Sequence, residues 1–398
     1  MGLMSGPMLS RRSALLGLAA AFTLGRTSLA LGAAPGQKRF VVVLLRGALD
    51  GLSAVQPYGD AACAGLRGDL ALAQPGQPDG LLDLGGFYGL HPKLANLHDC
   101  YKSGDALILH AVAGHYRSRS HFEAQDFLEA GVDQRISSGW LNRAVAAMPA
   151  VRGQEIALSM GLSAPLILRG PAQVEAWAPD KFGTPHQDLL ARLMTVSAHD
   201  SLLGPALAEG LKAQEMPAAP GGAMGPDGKP VGAEVTLAGA AGRLLAANPG
   251  PRVAVLELGG WDTHGAQKKR LEPRLEALDR SLAALKAGLG DAWKDTAVLV
   301  VTEFGRTARM NGTAGTDHGT GGVAFLVGGA VAGGKVRADW PGLGSGRLLE
   351  DRDLMPTADV RSIAKGVLSA HLGLGAAGLD AAFPGSGDAP AMSGLVRV

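Results

Sequence analysis

Val253-Ala254-Val255-Leu256-Glu257-Leu258-Gly259-Gly260-Trp261-Asp262-Thr263-His264 decides how the rest of the chain is read. A largely apolar run gives way to two glycines and then to a carboxylate and an imidazole, the order expected where a buried strand ends and chemistry begins. The pattern predicts a strand over 252–258, a long amphipathic helix over 267–289 and a second strand over 296–302. Strand, long helix, strand implies a crossover connection and therefore a parallel sheet. The second strand runs into Glu303-Phe304-Gly305-Arg306-Thr307. A further cluster, Gly315-Thr316-Asp317-His318-Gly319, stands just before the apolar run 323–327. Three such clusters beside three apolar runs predict one metal site assembled from strand ends.

Working outward, the run Phe40 to Leu45 reads as a strand buried on both faces, ending in Arg46-Gly47-Ala48-Leu49-Asp50-Gly51. Residues 57–89, rich in Pro, Gly and Asp, read as a long irregular insertion. A helix is expected over 94–101 and a second buried strand over 106–112. Another helix is expected over 121–130, with Phe122, Phe127 and Leu128 available for one face. Short strands are expected over 155–160 and 165–168, and helices over 187–196, 235–246 and 358–372, the last capped by Thr357. The stretch 213–232 reads as an exposed loop, and no internal repeat is visible. The expected fold is one elaborated, doubly wound α/β domain spanning residues 35–398.

The 398 residues, 46% of them hydrophobic, suffice for a large α/β core. A net charge of +1 gives no global reason to expect nucleic acid as a partner. Cys63 and Cys100 leave a disulfide and two buried thiols equally open. Ser10-Arg11-Arg12-Ser13 precedes the apolar segment 14–25 and small residues near 30–34. This resembles a twin-arginine export signal over residues 1–34. It implies the twin-arginine translocase as a partner, export in a folded state, and a periplasmic or secreted location. The apolar segment falls short of the roughly 20 residues a bilayer span needs, so no stable membrane span is expected in the mature protein.

Asp50, Asp262, His264, Glu303, Asp317 and His318 come from four separated segments, each at or near an expected strand end. Carboxylates with imidazoles suit zinc, manganese or iron, and the lack of Cys ligands argues against a structural zinc. One ion, or two roughly 3.5 to 4 Å apart, would be consistent with this set. Ser120 stands at an expected helix start, where the dipole favours negative charge. Ser120-His121-Phe122-Glu123 reads as a capping box, with Ser120 as the cap. Arg46, Arg119 and Arg306 flank the clusters as candidate forks for an anionic substrate. No Gly-rich dinucleotide fingerprint follows a strand, which leaves a redox role unsupported.

Together with Arg119-Ser120-His121-Phe122, Thr316-Asp317-His318-Gly319 and Trp340-Pro341-Gly342-Leu343, these clusters resemble the exported domain of unknown function 1501 family. That family is similar to the alkaline phosphatase and sulfatase superfamily. The resemblance implies a three-layer α/β sandwich around a mostly parallel sheet, with metals and an anionic substrate at the carboxyl ends of the strands. By it, Asp50, Asp262, His264, Glu303 and His318 take the places of metal ligands. Two departures stand out: only Thr263 separates Asp262 from His264, and Phe304 stands where the phosphatases have a histidine. His121 or Asp317 would then supply the missing ligand, and Ser120, at a helix start after the second strand, would take the place of the nucleophile, a helix cap only being the alternative. The implied activity is metal-dependent hydrolysis of a phosphate or sulfate ester, small or glycan-borne, with zinc the expected ion. The alternative is a non-catalytic metal- or ligand-binding protein on the same fold.

Overall fold

The computed structural model describes residues 38–148, 157–161, 163–178, 232–248 and 250–397. The expected leader, the helix over 187–196 and nearly all of the loop 213–232 lie outside the described residues. In chain order the strands are β1 (Arg39–Leu45), β2 (Val55–Gln56), β3 (Leu82–Asp83), β4 (Gly89–Leu90), β5 (Ala106–Ala113) and β6 (Ala157–Met160). They continue as β7 (Val174–Trp177), β8 (Val253–Leu258), β9 (Thr296–Thr302), β10 (Gly322–Val327), β11 (Lys335–Arg337) and β12 (Ala358–Asp359). The α-helices are α1 (Gly51–Ala54), α2 (Cys63–Arg67), α3 (Ala95–Lys102), α4 (His121–Ala130) and α5 (Trp140–Ala146), then α6 (Ala233–Ala246), α7 (Gln267–Leu289), α8 (Val360–Ala370) and α9 (Ala376–Ala382).

A nine-stranded sheet runs β11-β5-β10-β9-β1-β8-β6-β7, with β12 beside β5. β10 alone is antiparallel to its neighbours; every other pairing in this sheet is parallel. β1 lies between β8 and β9, so the helix α7 carries the chain from one side of β1 to the other. The carboxyl ends of β1, β5, β8 and β9 and the amino end of β10 therefore share one edge of the sheet.

Alternation along β1 divides the core. Val41, Val43 and Leu45 belong to the cluster that includes Leu275, Leu278 and Leu282 of α7, while Phe40, Val42 and Leu44 join Trp140 of α5 and Ile363 and Val367 of α8. Helices thus cover both faces, which explains why β1, β5 and β9 are nearly continuous apolar runs. In α7 the buried Leu271, Leu275, Leu278, Leu282, Leu285 and Leu289 recur at intervals of three and four, forming one stripe. The architecture is a three-layer α/β sandwich around a mostly parallel sheet.

Several local expectations need correction. Residues 166–168 form a 3-10 turn rather than a strand, entered through Pro165. The last long helix starts at Val360 with Asp359 as its cap, its carboxylate accepting from Arg361 N at 2.7 Å. Thr357 cannot cap it because 358–359 extend as β12 against β5. Phe122 does not join the core face of α4 but is 85% exposed. The insertion 57–89 contains α2 and β3, and the small antiparallel sheet β2-β4-β3 closes its two ends. Cys63 and Cys100 are free, buried thiols.

Candidate metal centre

Five loops at the shared sheet edge supply the site. After β8, Asp262 and His264 alternate with Thr263: the first and last side chains are 44% and 46% exposed, while Thr263 is fully buried. Extended backbone sends alternate side chains to opposite sides, so the single-residue spacer puts carboxylate and imidazole on one face. Gly47, at φ +117°, lets the β1 loop pass the Asp262 backbone, where a Cβ would lie 2.7 Å from Asp262 N.

His121 opens α4, and His318 comes from the loop before β10. The Nε2 of His318 lies 2.9 Å from Nε2 of His121 and 2.9 Å from Nε2 of His264. Asp262 Oδ1 is 3.1 Å from His264 Nε2 and 3.5 Å from His318 Nε2, while Oδ2 is 3.5 Å from His121 Nε2. Ligand atoms of His121, Asp262 and His318 all lie within 4.8 Å of one another. The far nitrogen of each ring meets an acceptor: His121 Nδ1 faces Glu303 Oε1 at 2.8 Å, His264 Nδ1 faces Asp317 Oδ1 at 3.2 Å, and His318 Nδ1 faces the Arg119 carbonyl at 2.8 Å. An acceptor on Nδ1 holds the proton there and leaves the lone pair on Nε2. Facing lone pairs repel unless they share a cation. One proton cannot serve both close Nε2 pairs, whereas a divalent ion bound by nitrogen and carboxylate oxygen can.

Glu303 and Asp317, expected as ligands, face the Nδ1 atoms of His121 and His264, behind the converging Nε2 atoms. Glu303 is buried and accepts from Gly47 N at 2.8 Å, Gln125 Nε2 at 3.0 Å and Thr302 Oγ1 at 2.9 Å, besides facing His121. Burial pushes its carboxyl up, but the hydrogen bonds from His121 and Gln125 outweigh that and hold it below the usual range. The same Glu303 contact raises His121 above an ordinary histidine. Burial, aided by the neighbouring His121, lowers His318. At Asp262, burial is outweighed by the hydrogen bond and charge of Arg306, so its carboxyl lies low. Phe304 packs against both rings, with centroids 4.9 Å from His121 and 5.1 Å from His318. It stands as an apolar wall where the phosphatase pattern has a histidine.

Asp50 does not join this cluster. Its buried carboxylate caps α1, accepting from Leu52 N at 3.1 Å and Ser53 N at 3.2 Å, and pairs with buried Arg67 and Gln267. The candidate anion forks are also committed. Arg46 binds Glu257 and Glu129, Arg119 binds Asp353 and Glu350, and Arg306, with no exposed side-chain surface, binds Asp262 at 2.7 Å. Ser120 occupies the cap position of α4 without a side-chain cap bond. The capping box does not form, because Glu123 turns to Tyr116 and Arg135. Arg67, Gln267 and Asn311 were not singled out from the sequence. Asn311 Nδ2 bonds the His264 carbonyl at 2.9 Å and Asp317 at 3.1 Å.

The fold and cluster define an α/β protein with a histidine-carboxylate centre at its strand ends. Residues 114–379 match the family described as "Protein of unknown function (DUF1501)", and the chain belongs to that family. No curated protein matches it. Among solved structures, it is similar to a protein in the alkaline phosphatase superfamily from Vibrio parahaemolyticus, at 10% identity and a TM-score of 0.34, covering 80% of this chain and 69% of that one. It is also similar to a protein of glycosaminoglycan metabolism from Bacteroides thetaiotaomicron, at 11% identity and a TM-score of 0.37, covering 89% and 75%. At these scores nothing about activity passes from those proteins to this one.

Proposed function

We propose that the chain is an exported, metal-dependent hydrolase of a phosphate or sulfate ester, built around one divalent cation held by His121, Asp262, His264 and His318. The observation that carries this reading is the convergence of three Nε2 atoms, each ring fixed from behind by an acceptor on Nδ1. The nitrogen and carboxylate donors favour zinc. A single ion is proposed because the converging ligand atoms form one cluster and Asp50, which the resemblance makes a further ligand, is already paired with Arg67. A cation bound there supplies Lewis acidity toward an ester oxygen. Asp262 and His264, both near half exposed, give the centre an open side for substrate. Ser120 is proposed as the nucleophile: it stands between Arg119, whose carbonyl holds His318, and the ligand His121, and its hydroxyl has no capping duty. Residues 1–34 are proposed to direct export to the periplasm or medium through the twin-arginine translocase. Among the described residues no helix is long and apolar enough to cross a membrane.

A second reading, a non-catalytic metal-binding protein, draws on the pairing of Arg46, Arg119 and Arg306 with carboxylates, which commits all three candidate anion forks. Metal analysis of the purified protein, with a hydrolysis screen across small and glycan-borne phosphate and sulfate esters, separates the two. One zinc per chain with hydrolysis that His318→Ala abolishes supports the enzyme. Metal without turnover supports the second reading, and no metal uptake by the wild type ends both.

A further inference from the structure

Behind the ligands lies a buried polar chain whose centre is Gln267, the first residue of α7 and fully buried. Its Oε1 accepts from Thr263 Oγ1 at 3.0 Å and from Thr316 Oγ1 at 2.6 Å. Thr263 lies between Asp262 and His264, and Thr316 directly precedes Asp317 and His318. One amide oxygen therefore ties together the two loops that carry three of the four ligands. The other end of the amide donates to Asp50 and, at 3.1 Å, to Ser53 Oγ. Because those partners accept, the amide cannot flip, and its oxygen must face the threonines. Asp50 is in turn fixed by Arg67. On the far side Thr316 continues the chain: its Oγ1 accepts from Arg306 Nε at 3.2 Å and its carbonyl from Arg306 Nη2, which aims Nη1 at Asp262. The close approach is built into the backbone as well. A Cβ on Gly315 would lie 2.2 Å from the His264 carbonyl oxygen.

We infer that Gln267 is a positioning residue that sets the spacing between the Asp262–His264 pair and His318, and through it the affinity and geometry of the bound cation. This rests on the metal reading above. Thr263 turned inward forces its two neighbours outward together, and Thr316 held to the same oxygen fixes how far His318 stands from them. Without the amide, two buried hydroxyls and Asp50 lose a partner, and the loops can move apart.

The test is Co²⁺ titration of the full chain, read by the visible absorption band that reports coordination geometry. Gln267→Met keeps length and removes both hydrogen-bonding ends. It is expected to weaken Co²⁺ binding about 10-fold or more, as loss of a ligand's outer support does, and to change the band. Thr316→Val, a smaller perturbation, should give a lesser loss in the same direction and serves if Gln267→Met does not fold. Asn142→Ala is the control, since Asn142 is fully buried and bonds Leu168 and Ala172 away from the site. It should lower thermal stability and leave Co²⁺ binding and the band unchanged. Folded Gln267→Met, or Thr316→Val in its place, with wild-type affinity and spectrum overturns the positioning role alone. So does an equal loss in Asn142→Ala. Failure of the wild type to bind Co²⁺ or Zn²⁺ overturns the metal reading and this inference with it.

Discussion

Removing the Arg67 charge tests whether Asp50 is structural or a ligand. Both side chains are essentially inaccessible to water. Arg67 also donates to Ser53 Oγ at 2.7 Å and to the carbonyls of Thr307 and Ala308 at 3.3 and 3.2 Å, so its guanidinium ties α2 to the loop after β9. Arg67→Met leaves Asp50 as an uncompensated buried charge, at an expected cost of about 3 to 5 kcal/mol. Asp50→Asn strands Arg67 in the same way, although the amide oxygen can still accept from the α1 backbone. The double variant buries no net charge. It should be less destabilised than the sum of the singles by about 2 to 3 kcal/mol, the coupling expected of directly contacting groups. Equilibrium urea unfolding followed by tryptophan fluorescence measures all three, with unchanged denaturant slopes as the check on two-state behaviour. Single variants costing under about 1 kcal/mol, or additive effects in the double, would refute the buried-pair reasoning. Loss of bound metal from Asp50→Asn at unchanged stability would return Asp50 to the ligand set.

Three further outcomes are expected. Burial lowers His110 to about 4, below its unfolded value of 6.5, so the unfolded chain takes up a proton that the native state refuses. Stability from this group should be present above pH 6.5 and be lost, by about 3 kcal/mol, as pH falls toward 4; His110→Gln should flatten that slope in unfolding measured across pH. Ser120→Ala and Ser120→Gly should each change unfolding stability by less than about 0.5 kcal/mol, because no cap bond is lost. If Ser120 is the nucleophile both should abolish turnover with metal retained, and a Gly variant hydrolysing at the wild-type rate rejects that role. Burial raises the Cys63 thiol to about 11. Two thiols should therefore react with a colorimetric reagent after denaturation and almost none before it, with no effect of reductant on thermal unfolding; rapid native labelling contradicts the packing around them.

The strands β1, β5 and β9 are legible because each is buried on both faces and reads as an apolar run, β8 because only Glu257 interrupts its run, and α7 because its apolar residues recur at helical spacing. The run 323–327 was equally plain, but the reversed direction of β10 depends on its partners β5 and β9 and leaves no mark in composition. At the site, Asp262, His264 and His318 carried their own context. His121 was only a replacement ligand, because the Glu303 that identifies it is 182 residues away. The partner of Asp50 is hidden for the same reason: an acid after a strand reads as a ligand, and Arg67, in a glycine-rich stretch without periodicity, gives no sign in the sequence that it lies beside it. The arginines look like free forks when their carboxylate partners lie 44 to 234 residues away.

The position of β1 between β8 and β9 also orders events during synthesis. β1 gains its first lateral partner only after residue 258 has been made and its second only after residue 302, and His318 follows later still. Pairings this distant along the chain form slowly, and the lone apolar strand must be kept from other chains meanwhile. The proposed leader ends only a few residues before that strand. If the proposed leader directs export, the nascent chain carries its address next to its least protected segment, and the histidine-carboxylate cluster can be assembled only once His318, late in the chain, has been made.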